Sequence, residues 1–86
     1  MRADPEHNWT RGEEAIVRKL LGSPTLEWVM PTSRLSSEAM VRRACETVTR
    51  LVRRGIIELR YVQSNGDLHL AGTDLMRRVR HEVVGR

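Results

Sequence analysis

The 86-residue chain has no phenylalanine, one cysteine, three prolines and one lysine. A single cysteine, Cys45, excludes an internal disulfide and fits a reducing compartment. The aromatic side chains are Trp9, Trp28 and Tyr61. So few make a poor platform for stacked bases, which disfavours RNA and single-stranded DNA as partners. No apolar run approaches the roughly 18 residues that a membrane span requires. Residues 1–6 lack the apolar stretch of a secretory signal. These absences lead us to expect a cytoplasmic protein with no membrane partner.

Catalytic signals are also missing. His7, His69 and His81 are scattered, and Cys45 falls on an apolar stripe, where a buried small hydrophobe is the expected role. Neither zinc-ligand spacing, a P-loop nor a dinucleotide-binding glycine pattern is present. The expectation is a non-enzymatic protein without cofactor or metal.

What the chain does have is arginine, unevenly placed. Residues 1–33 carry four basic groups against five acidic ones. Residues 34–60 carry seven arginines against three glutamates, and residues 61–86 carry four arginines against three acids. The central third therefore holds the whole excess behind the net charge of +4. Arginine forks match phosphate oxygens and guanine edges, although an arginine-rich proteome would produce the same bias.

The length allows one small core, and we read residues 1–10 as an arm and 11–86 as a single domain. Thr10-Arg11-Gly12-Glu13 has capping-box form, and Ala15, Ile16 and Leu20 continue at helical spacing, predicting a helix over 11–21. Gly22-Ser23-Pro24 stops it. Residues 25–35 fit either one and a half helical turns or a short strand ending at Pro31, and the strand is preferred. From Ser33 to Arg54 there is no glycine or proline. Val41, Ala44, Cys45, Val48, Leu51 and Val52 form an apolar stripe there, opposite an arginine-rich face, and Gly55 ends the run. This stretch holds either two helices, over 33–41 and 43–54, or one from about Ser36. In the second case any preceding helix is squeezed into 25–29.

Two strand-like runs then flank Asn65-Gly66, which predicts a hairpin with a two-residue type I′ turn. That register pairs Val62 with His69 and Tyr61 with Leu70, and puts Leu59, Tyr61, Leu68 and Leu70 on one face. A last helix is expected with Thr73 as its N-cap and Met76, Val79 and Val83 as its apolar line.

The order of these elements, with Val48-Thr49-Arg50-Leu51-Val52-Arg53-Arg54-Gly55-Ile56-Ile57-Glu58 running from helix into hairpin, resembles winged helix-turn-helix regulators of the MarR and PadR types. Leu68-His69-Leu70-Ala71-Gly72-Thr73-Asp74-Leu75 is similar to their second wing strand entering the C-terminal helix. The resemblance spans about 11–84. It implies an α+β, mainly helical fold with a two-stranded wing hairpin, a recognition helix in the major groove and the wing beside it. The chain departs from that pattern in lacking a breaker between the second and third helices.

The expected function is sequence-specific binding of double-stranded DNA, by a small transcriptional regulator or a plasmid or phage accessory factor. The candidate DNA-binding residues are Arg42, Arg43, Glu46, Thr47 and Arg50, with Arg60 and Asn65 serving as the wing. The resemblance also implies a homodimer paired through the C-terminal helix. The arginine face could also be a solvated helix surface alone, and the competing functional reading is a winged-helix protein–protein module that sets its basic face on an acidic partner and does not bind DNA.

Overall fold

A computed structural model describes residues 9–83, with side chains as far as Arg78. Residues 1–8, which include most of the expected arm and His7, lie outside the described residues. So do the side chains of Val79, Arg80, His81 and Val83.

Helix α1 covers Arg11–Leu21. Its capping box closes as expected: the Thr10 hydroxyl accepts from the Glu13 N–H at 3.1 Å, and the Glu13 carboxylate accepts from the Thr10 N–H at 2.9 Å. Residues 25–35, ambiguous in sequence, form strand β1 over Glu27–Met30 and a one-turn 3-10 helix over Thr32–Arg34. No helix is squeezed into 25–29. Leu26 reaches β1 through a left-handed backbone (φ 57°), while its side chain is buried in the core and its carbonyl accepts from the Gly72 N–H at 2.7 Å.

Between Ser33 and Arg54 stands one α-helix, α2, over Glu38–Arg53. The Ser37 hydroxyl caps it by accepting from the Met40 N–H at 3.2 Å. A Schellman pair closes it, with the Gly55 N–H donating to the Val52 carbonyl and the Ile56 N–H to the Leu51 carbonyl. Gly55 supplies the required positive φ of 76°. Strands β2 (Ile57–Val62) and β3 (Leu68–Gly72) follow, then helix α3 (Asp74–Val83).

The expected hairpin forms from β2 and β3, and β1 joins it as a third strand, giving an antiparallel sheet in the order β1-β3-β2. β1 covers β3 nearly end to end, from Glu27 opposite Ala71 to Met30 opposite Leu68. The hairpin register also differs from expectation. Gln63 and Asp67 close a three-residue loop, with the Gly66 N–H donating to the Gln63 carbonyl and Gly66 at φ 98°. A type I′ turn needs positive φ at Asn65 as well, and Asn65 does not have it. The extra loop residue slips the pairing by one, so Val62 faces Leu68 and Tyr61 faces His69. A bulge at Arg60, between Leu59 and Tyr61, shifts the register by one residue more, so that Leu59 faces Leu70. Tyr61 therefore lies with His69 on the outer face of the sheet, their rings stacked at 4.0 Å, and not with Leu59 and Leu70.

The core lies between the inner face of the sheet and the helices, built on Leu20, Leu51, Ile56, Ile57, Leu70 and Met76. Thr73 stands one residue before α3, but its hydroxyl donates to the Gly55 and Ile56 carbonyls and pins the helix to the end of α2. Gly72 is needed for close approach, since a Cβ there would lie 2.6 Å from Met76 Sδ. Among the described residues, no helix is long and apolar enough to cross a membrane.

Candidate nucleic-acid interface

The seven expected contact residues fall into three groups. Arg42, Arg43 and Glu46 are exposed on α2. Among the described residues no side-chain hydrogen bond or ion pair holds any of the three. The helical repeat places Thr49 and Arg53 on the same stripe as Arg42 and Glu46, giving steps of four, three and four residues along solvent. Arg53 likewise has no carboxylate partner among the described residues. This spacing was readable in the sequence, and it adds Arg53 to the site.

Thr47 and Arg50 belong to a different environment. Thr47 is 5% exposed, and its hydroxyl donates to the Arg43 carbonyl at 2.9 Å. It faces α1 across Gly12, not solvent, which removes it from any outward contact surface. Arg50 is partly exposed, with its Nε 3.6 Å from the Glu13 carboxylate and its Nη2 donating to Thr47 Oγ1 at 3.2 Å. Arg54 joins the same carboxylate at 3.8 Å and stacks over the Trp9 ring at 4.5 Å. Glu13 is 4% exposed, so this carboxylate draws the two arginines inward. A charge with so little solvent needs partners, and these cations supply them.

The hairpin residues are the third group. Arg60, on the bulge, reaches Glu58 at 3.6 Å and Glu27 at 3.8 Å on the outer sheet face. Asn65 is exposed at the tip, where its side chain donates to Asp67 Oδ2 and accepts from the Asp67 N–H. The tip is also tethered: Thr32 Oγ1 donates to the Gly66 carbonyl, and the Ser33 N–H donates to Asp67 Oδ1 at 2.9 Å. The hydrogen bonds from Ser33, reinforced by Asn65 and Arg34, hold the Asp67 carboxyl below its ordinary range. Exposed Arg34, in the tethering turn, is thereby placed beside the tip. The sequence offered no signal for this contact between residues more than thirty positions apart.

Two further expectations change. Cys45 is exposed, not buried, and so is Val52. The apolar stripe of α2 is covered only where Val48 and Leu51 enter the core. Toward the N-terminal half of the helix lies an apolar groove of about 510 Å³ between α1 and α2, floored by Trp28 and Met30. Among the described residues no group of histidine, cysteine and carboxylate side chains could hold a metal ion. Comparison of the chain with protein-family models, curated proteins and solved structures returned no match.

Proposed function

We propose that this chain is a winged-helix-like module that binds double-stranded DNA sequence-specifically, as a small transcriptional regulator or a plasmid or phage accessory factor. The element order, with the first strand beside the hairpin, supports a winged-helix reading in which the second helix is cut down to the 3-10 turn. The observation that carries the function is the exposed side of α2, where Arg42 and Arg53 on the stripe and Arg43 beside it face solvent without a carboxylate partner among the described residues. In this reading α2 enters the major groove, where arginine forks meet guanine edges or phosphates and Glu46 accepts from cytosine. The short, tethered hairpin serves as a brace, with Arg34 and Asn65 near the backbone. A homodimer formed through the spacing of Val79 and Val83 would present two such helices to a palindromic site. Sedimentation equilibrium at micromolar concentration tests that assembly, and a 9.9 kDa species would remove it.

The decisive measurement is the anisotropy of a labelled duplex at several salt concentrations. With Arg50, Arg54 and Arg60 engaged by carboxylates, three or four arginines remain for phosphates. The log–log slope should then be about −3 to −4. Replacing Arg42 and Arg43 by alanine should weaken binding at least tenfold while circular dichroism stays unchanged. No binding at low salt by the folded protein would favour the protein-binding alternative, which the uncovered apolar groove supports.

A further inference from the structure

We propose that the groove between α1 and α2 is a docking site for an acidic amphipathic helix of a partner protein. Each wall is one helical face: Gly12, Ala15 and Lys19 from α1, and Met40, Arg43 and Ala44 from α2. In a helix-turn-helix unit a second helix would precede α2, but the seven residues between β1 and α2 hold only a 3-10 turn. Among the described residues nothing covers the surface such a helix would occupy, and Met40 is 46% exposed. Gly12, Ala15 and Ala44 carry little or no side chain, so a helix backbone can approach closely, while Trp28 and Met30 provide the apolar floor for its anchors.

Charge selects the occupant. Lys19 and Arg43 stand on opposite walls, and among the described residues no aspartate or glutamate lines the groove. A helix with apolar residues at i, i+3, i+4 and i+7 and carboxylates on its flanks fits that field. The chain's own α3 fits poorly, since Arg77, Arg78 and Arg80 outnumber Asp74 and Glu82. Residues 1–8 offer Pro5 and no helical apolar pattern. The groove shares Arg43 with the DNA reading, so the single variant Lys19→Glu, on α1, keeps the two apart: it should weaken acidic-peptide binding and leave duplex binding unchanged.

The test uses two labelled 16-residue helical peptides that share leucines at i, i+3, i+4 and i+7, one flanked by glutamates and one by lysines. Fluorescence anisotropy with the full chain should show the acidic peptide binding at least tenfold more tightly than the basic one. The double variant Lys19→Glu/Arg43→Glu should reverse that order, and Ala44→Glu should abolish acidic-peptide binding, with circular dichroism unchanged in both. Equal affinities, or no binding by the folded protein, would overturn the proposal. So would decanoate binding in the groove without any peptide binding, or self-association that Ala44→Glu dissolves.

Discussion

The two halves of α2 have the same composition style and different fates. From Thr47 to Arg54 the inward side chains Thr47, Val48 and Leu51 are buried, and Arg50 and Arg54 converge on the Glu13 carboxylate. From Glu38 to Glu46 no residue is buried, Met40 lies open, and Arg42 and Arg43 have no charged partner among the described residues. The C-terminal half is part of the core, and the N-terminal half is a surface presented by it. Identical arginines thus act as structural counterions at Arg50 and Arg54, on the face turned toward α1, and as available contacts at Arg42, Arg43 and Arg53.

Substitutions that separate packing from presentation should break this contrast most sharply. Leu51→Ala, at a position with 0% exposure, should cost about 2–5 kcal/mol in urea denaturation. Met40→Ala, on the same helical face three turns earlier, should stay within about 0.5 kcal/mol. The arginines should divide the same way. Replacing Arg50 and Arg54 together by alanine leaves Glu13 buried without its cations and should cost about 1–3 kcal/mol. The Arg42/Arg43 double alanine should leave stability unchanged in the same denaturation experiment while reducing duplex affinity.

Smaller effects concern the tether that sets up the N-terminal half. Gly66→Ala, at φ 98°, should cost about 1 kcal/mol by straining the hairpin tip next to the 3-10 turn. Asp67 gives the weakest and most specific signal. Because its folded carboxyl titrates below the ordinary range, its stabilising contribution is complete above that range and is lost as the pH falls through the lowered value. Asp67→Asn should therefore flatten the acid side of the stability–pH curve, measured by thermal denaturation from neutral to acidic pH. An unchanged acid limb would show that the Ser33–Asp67 bond does not hold the tip.

Much of this architecture was legible beforehand because its signals are local. The capping box at Thr10 and Glu13, the glycine stop at Gly55 and the alternation around Asn65-Gly66 depend on neighbours within a few residues, and each marks an observed element. The hairpin register failed by one residue because Asn-Gly supports both a two-residue and a three-residue loop. The bulge at Arg60 and the tether from Thr32 and Ser33 accompany the longer one. Spacing on a helix could place Arg42, Glu46 and Arg53 on one face, but it could not say which arginines were already engaged.

The sequence by itself determined α1, the β2–β3 hairpin, the start of α3 and the arginine face of α2, since caps, periodicity and composition are properties of short stretches. Only the tertiary structure decided that β1 joins the sheet, that Glu13 claims Arg50 and Arg54, that Thr47 is buried, and that the groove beside Met40 is open. Those outcomes depend on which surfaces meet across tens of residues, and burial, which sets the worth of a charge or a methylene, exists only once they have met.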